Sequence, residues 1–206
     1  MKKQNIILIG GADSFSDRED FLNYLKRVDM RDLPEDNPRK SWKLWVKEQL
    51  GEEYYFDIPS MPNTHNAKYD EWQIWFERHL SVVDEKVTLI GLSLGAQFLA
   101  KYLINNDIDQ KIEGLFLLAG PCGYYDDPDG MDCETFGFKQ SDLGIIQEKV
   151  ENIVIMHSTD DFVVPYEHAL KYKEELPNAE LITFNDRTHF LVDELPELVE
   201  KIREIT

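Results

Sequence analysis

Apolar residues along the chain fall into two alternating kinds of run. Six are short and nearly continuous, at residues 5–9, 54–58, 87–90, 114–119, 152–157 and 180–184. Continuous rather than alternating apolar character predicts strands covered on both faces. Between them, apolar positions recur every three or four residues and predict helices over 42–50, 69–80, 94–105, 139–150, 166–176 and 195–205. Gly51 stands where a glycine caps the end of the first of these helices, and Pro165 where a proline opens the fifth. Strands and helices in alternation predict a three-layer α/β/α architecture: a doubly wound, mainly parallel six-stranded sheet. Ligands of such sheets bind beyond the carboxyl ends of the strands.

Two segments interrupt the alternation. Residues 13–41 follow the first strand and contain Ser16-Asp17-Arg18-Glu19, which has the form of a capping box. Phe21, Leu22, Leu25 and Val28 then form an apolar stripe, predicting an extra helix before a polar loop with Pro34 and Pro38. The second segment, 121–137, is rich in Asp, Gly and Tyr. Both emerge at the carboxyl ends of strands, where each reads either as a lid or as a plain surface loop. The insertion at 13–41 belongs to one domain expected over residues 1–206.

Composition narrows the class. At 42% apolar and 12% aromatic residues the chain is that of a globular enzyme. No apolar run approaches the ~20 residues of a membrane span. The first run stops at Gly10-Gly11, too short for a signal-peptide core, so a cytoplasmic location is expected. Forty acidic against 22 basic side chains give a net charge of −18, which argues against nucleic acid or anionic membrane as partner and mildly against polyanionic substrates. Cys122 and Cys133 read as reduced thiols in that compartment. There is no cysteine/histidine cluster for zinc. The acidic stretch 126–132 resembles a calcium loop only superficially, because taking Gly130 as its sixth position puts Tyr125 first and Phe136 twelfth. No metal and no cofactor are expected.

The chemistry starts at Gly91-Leu92-Ser93-Leu94-Gly95, between an apolar strand and a helical pattern. A G-x-S-x-G string in that context is a nucleophile elbow, a sharp turn that lifts a serine hydroxyl off the sheet edge. A serine needs a base. Of five histidines, His79 and His168 lie in charged helical patterns and read as surface residues. His157 ends an apolar strand as a hydrogen-bonded core residue, and His65 sits near the expected cleft. His189 follows the last strand, in the loop that overhangs the elbow, and is the expected base. Its carboxylate partner comes from the loop after the fifth strand, where Asp161 opens an Asp-x-x-Val-Pro string and Asp160 adjoins it as competitor. The order Ser…Asp…His is that of this architecture. The expected oxyanion donors are the backbone N–H groups of Leu94 and of Ala12, in the Gly10-Gly11-Ala12-Asp13 loop. That loop lacks the spacing of a phosphate-binding motif. Trp42, Trp45, Trp72, Trp75 and Phe162 read as pocket walls or, for the tryptophans, as helix faces packed into the core.

On these residues the chain resembles the α/β-hydrolase superfamily. Within it, the chain is similar to small serine hydrolases of the retinoblastoma-binding-protein type. The elbow at 91–95, Met61-Pro62-Asn63, His157-Ser158-Thr159-Asp160-Asp161 and His189-Phe190 carry the likeness. It implies the minimal α/β-hydrolase fold and an esterase-like or peptidase-like enzyme without cofactor, acting on a small acyl substrate (ester, thioester or small amide) through an acyl-enzyme. In that family the second aspartate of the pair is the triad acid, which favours Asp161. Leu92 departs from the family, whose members often have His there, and 13–41 exceeds its minimum length. Both departures bear on the pocket and not on the proton relay. The competing reading is a binding module that kept the fold and lost efficient catalysis.

Overall fold

Six strands pair side by side, all parallel, in the order β2-β1-β3-β4-β5-β6. The computed structural model describes residues 3–27, 41–125 and 132–206. The strands are β1 (Gln4–Ile9), β2 (Tyr54–Asp57), β3 (Lys86–Leu92), β4 (Lys111–Leu118), β5 (Val150–Ser158) and β6 (Glu180–Phe184). The helices are α1 (Arg18–Arg27), α2 (Trp42–Leu50), α3 (Tyr69–Leu80), α4 (Leu94–Asn105), α5 (Ile146–Lys149), α6 (Glu167–Glu175) and α7 (Pro196–Ile205).

The strand sequences explain the layering. In β1, Ile7 and Ile9 join one buried cluster while Ile6 and Leu8 join the other; in β3, Val87 and Leu89 oppose Ile90 and Leu92 in the same way. Successive side chains point to opposite faces, so an apolar residue at every position requires cover on both. Trp72 and Phe76 of α3, with α4 and α6, cover one face. Trp42 and Val46 of α2 and Leu198, Val199 and Ile202 of α7 cover the other. Each fully buried large apolar side chain contributes about 1.5–3 kcal/mol.

The strands run further than their apolar cores. β3 and β4 begin at Lys86 and Lys111, which pair in register, and cross-strand ions hold these ends: Lys86 Nζ to Glu113 Oε1 at 2.5 Å and Lys111 Nζ to Glu151 Oε2 at 2.6 Å. The expected helix at 139–150 is instead a 3₁₀ segment, Gln140–Ile145, and the four-residue α5. Gly144 weakens a regular helix there, and Val150 is already in β5. Pro165 precedes α6 by a turn and accepts the His168 N–H through its carbonyl at 3.0 Å, rather than occupying the first helical position. Gly51 caps α2 as expected, with φ 73° and its N–H on the Lys47 carbonyl.

The capping box at the start of α1 is shifted by one residue. Asp17 Oδ1 accepts the N–H groups of Glu19 (2.6 Å) and Asp20 (3.2 Å). Ser16 turns to Asp132, which accepts both its N–H and its hydroxyl. Helix α1 buries no residue and rests on Phe15 through the rings of Phe21 and Tyr24. Val28, Pro34, Pro38 and most of the calcium-loop-like stretch lie outside the described residues, as do parts of both lid candidates. Among the described residues no helix is long and apolar enough to cross a membrane.

Candidate active site

Strand order reverses between β1 and β3: β2 lies beyond β1, and β4, β5 and β6 lie beyond β3. Crevices form at such switch points, outside the carboxyl ends of the strands. The loops leaving β1 and β3 are Gly10–Asp13 and the turn at Ser93.

Ser93 sits at φ 55°, ψ −125°, between β3 and α4. This costs of order 1–3 kcal/mol in an L-residue and persists only where neighbours over-determine it. Here the Ser93 N–H donates to the Leu118 carbonyl at 2.8 Å, and its own carbonyl accepts from Ala96 at 2.9 Å. The flanking glycines leave space for the turn. A Cβ on Gly91 would stand 2.6 Å from the Ala96 nitrogen, and one on Gly95 would stand 2.6 Å from the Gly10 carbonyl oxygen. A β3–turn–α4 unit packed this closely against β1 needs glycine at both positions.

His189 lies in the loop between β6 and α7, flanked by Thr188 (φ 46°) and Phe190 (φ 53°). The Thr188 N–H donates to Asp160 Oδ1 at 3.0 Å, and the Arg187 N–H to Ser158 Oγ at 3.1 Å, tying the loop to the end of β5. The carboxylate against the imidazole is that of Asp161, 2.8 Å from Nδ1; Asp160 holds the backbone instead. Asp161 Oδ1 accepts the Val163 and Val164 N–H groups at 2.8 and 3.0 Å, so Oδ2 is left for His189. His157 Nε2 stands 3.3 Å from the same Oδ2 and 2.9 Å from the Val164 carbonyl oxygen. Burial alone pushes the Asp161 carboxyl up, but hydrogen bonds from His157, His189 and Val164 outweigh it and hold the group well below the usual carboxylate range. An ionised carboxylate only accepts, so His189 donates a proton from Nδ1 and its Nε2 faces away from Asp161.

Ser93 and His189 line one cavity of about 690 Å³, with Gly11, Ala12, His65, Leu92 and Leu94 among its walls. A Cβ on Gly11 would stand 3.0 Å from the Ser93 Cβ, so the Gly10–Asp13 loop passes directly beside the serine. The Ala12 and Leu94 N–H groups have no acceptor among the described residues. The next N–H, that of Asp13, is occupied by the Thr64 carbonyl at 2.9 Å. Burial raises the pKa of the Asp13 carboxyl, although its hydrogen bond from Tyr24 and the nearby His65 act against this.

Two histidines are not the surface residues expected. His168 is 5% exposed; its Nδ1 accepts the Cys122 N–H at 2.9 Å, and burial depresses its pKa to about 4. His79 places Nδ1 2.6 Å from Asp57 Oδ2 and packs edge-on against Trp75. Both partners come from other elements, so the helical pattern alone gives no sign of them. His157 is a buried hydrogen-bonded residue and His65 lines the cleft, as expected. Trp42 also lines the cavity, whereas Trp72 is buried in the core and Phe162 is 73% exposed. Lys43, Tyr125 and Cys133, which no sequence motif ties to the site, line the cavity too.

Comparison with known proteins identifies the fold and the family. YdeN of Bacillus subtilis (strain 168) is 24% identical over 154 residues, covering 74% of this chain and 80% of that protein. The structure of the B. subtilis ydeN gene product superimposes with a TM-score of 0.73 at 18% identity and covers 98% of both chains. Est1E from Butyrivibrio proteoclasticus gives 0.62 at 16% identity, over 98% of this chain and 86% of its own. Esterase EaEST from Exiguobacterium antarcticum gives 0.58 at 16% identity, over 99% and 92%. These likenesses show an α/β-hydrolase fold. The model of the family described as Serine hydrolase matches residues 35–203, and the chain belongs to that family.

Proposed function

We propose that this hydrolase cleaves small carboxylic esters or thioesters through an acyl-enzyme on Ser93. The observation that supports this best is the placement of Ser93 and His189 on one cavity, with Asp161 on the far nitrogen of the imidazole. The hydroxyl oxygen of Ser93 attacks the acyl carbon while His189 Nε2 takes the hydroxyl proton. The oxyanion so formed points at the Leu94 and Ala12 N–H groups. Collapse breaks the bond to the leaving group, which departs with the proton from His189. Water then attacks the acyl-enzyme, again through His189, and releases the acid and free Ser93. Asp161 fixes the tautomer of His189 and stabilises its imidazolium. An ester preference over a peptidase-like one draws support from the structural neighbours: EaEST is an esterase, and Est1E has been captured with ferulic acid.

The test is labelling of the purified protein with a fluorophosphonate probe, together with hydrolysis of short 4-nitrophenyl esters. Ser93→Ala is expected to abolish labelling and lower turnover by roughly four powers of ten. Undiminished hydrolysis by Ser93→Ala overturns the assignment. Folded wild-type protein that takes no label favours a binding module.

A further inference from the structure

Lys43 projects from the first turn of α2 into the cavity and is the only lysine or arginine among the described residues that line it. Its ammonium stands beside the oxyanion loop, since a Cβ on Gly10 would lie 3.2 Å from Nζ. Gly10 adjoins Gly11, whose own Cβ would lie 3.5 Å from Ser93 Oγ. With adjacent Cα atoms ~3.8 Å apart, the ammonium lies within roughly 14 Å of the serine hydroxyl. No carboxylate or other acceptor among the described residues partners it. Burial lowers its pKa. The position is also unfavourable for a cation by local rules: the first helical turn prefers acids, and that of α2 has none. A partly buried charge with no partner among the described residues, placed against the helix dipole, costs stability, and it faces the cavity.

We propose that Lys43 is the specificity-determining cation of this site, and that the preferred substrate is an acyl compound bearing a free carboxylate remote from the scissile carbonyl. The proposal rests on the acyl-hydrolase reading above. A carboxylate fits better than a phosphate. One ammonium balances one negative charge, while Asp13 and Asp193 on the same walls and the net charge of −18 oppose a dianion. His65 and His189 are the other titratable groups on the cavity walls that can carry positive charge.

The experiment compares kcat/KM for three 4-nitrophenyl esters of similar length: hexanoate, hydrogen adipate and 5-phosphonopentanoate. Wild-type protein is expected to favour the adipate over the hexanoate by about ten- to a hundredfold, the range of a charge-assisted hydrogen bond. Lys43→Met should bring that ratio close to one, mainly through KM, and Lys43→Arg should restore most of it. No adipate preference in the wild type, or a preference surviving Lys43→Met, overturns the proposal. So does an equal loss on adipate and hexanoate, which would make Lys43 a general support of the oxyanion loop. A stronger preference for the phosphonate overturns the carboxylate assignment. Calorimetric binding of monomethyl adipate to Ser93→Ala, and its loss in Ser93→Ala/Lys43→Met, reads the same contact without turnover. A failure of the hydrolase reading is therefore distinguishable from a failure of this one.

Discussion

Replacing Asp161 by Asn isolates what its carboxylate does, because the surroundings dictate how the amide must sit. Oδ1 accepts two backbone N–H groups, from Val163 at 2.8 Å and Val164 at 3.0 Å. An amide flipped to put its NH₂ there loses both bonds and faces two donors, at about 1–3 kcal/mol for each orphaned group. The unflipped amide gives up only the 3.3 Å contact from His157 Nε2, which keeps the Val164 carbonyl at 2.9 Å, so the unflipped form is favoured. The NH₂ therefore replaces Oδ2, where it faces His189 Nδ1 at about 2.8 Å. It can only donate, so Nδ1 must give up its proton to Nε2, and the nitrogen that has to take the serine proton is already protonated. The imidazolium also loses its counter-charge. A wrong tautomer of this kind costs about 10⁴ in kcat where it has been measured in another triad. Asp160→Asn is the matched control: its Oδ1 bonds the Ser158 hydroxyl and the Thr188 N–H but not the imidazole, so kcat is expected to stay within about tenfold. The assay is steady-state hydrolysis of a 4-nitrophenyl ester beside circular dichroism of each variant. Folded Asp161→Asn protein with more than about a tenth of wild-type kcat would refute the reasoning, as would an Asp160→Asn loss equal to it.

Two further outcomes test the packing around the site. His168 has a folded-state pKa of about 4 against an unfolded value of about 6.5, so between these values only the unfolded chain takes the proton. Stability should therefore rise from pH 4 to pH 6.5 by an amount of order 2 kcal/mol from this residue. His168→Asn, which keeps an acceptor for the Cys122 N–H, should flatten that part of a urea-unfolding series; an unchanged slope refutes the assignment. In Gly91→Ala the new methyl meets the Ala96 nitrogen at 2.6 Å, a backbone atom that cannot yield without moving the start of α4. Overpacking of this kind costs about 1–3 kcal/mol, and a shift near 1 Å at Ser93 lowers turnover by about a hundredfold. An unaltered urea midpoint together with unaltered kcat would show that the turn has slack.

Much of this architecture was legible because burial leaves a mark on composition. The helices 42–50, 69–80 and 94–105 match the observed bounds because each buries apolar residues at helical spacing, and 180–184 matches as an apolar-centred edge strand although none of its residues is fully buried. Elsewhere the mark fades. The ends of β3 and β4 carry lysines held by Glu113 and Glu151, partners that only the sheet register brings near. His79 and His168 look like solvated helix residues until Asp57 and the Cys122 N–H arrive from other elements. The motifs around Ser93 and Asp161 are legible for a different reason: both work through local backbone. The elbow needs its glycines within two residues, and Asp161 is oriented by N–H groups two and three residues on.

Lys43 shows the limit of such reading and the way past it. Net charge describes encounter, and at −18 it disfavours anions approaching the molecule as a whole. Recognition is set within a few ångströms, where the cavity holds one ammonium that no carboxylate among the described residues contacts. Charge at those two scales can have opposite sign without conflict, because screening at physiological salt confines the long-range field to about 8 Å while a partly buried contact escapes most of it. The sequence does carry a trace of this, since a lysine in a first helical turn with no acid beside it violates the dipole preference. Only the fold shows that the violation faces the cavity lined by Ser93 and His189, where a bound anion would remedy it.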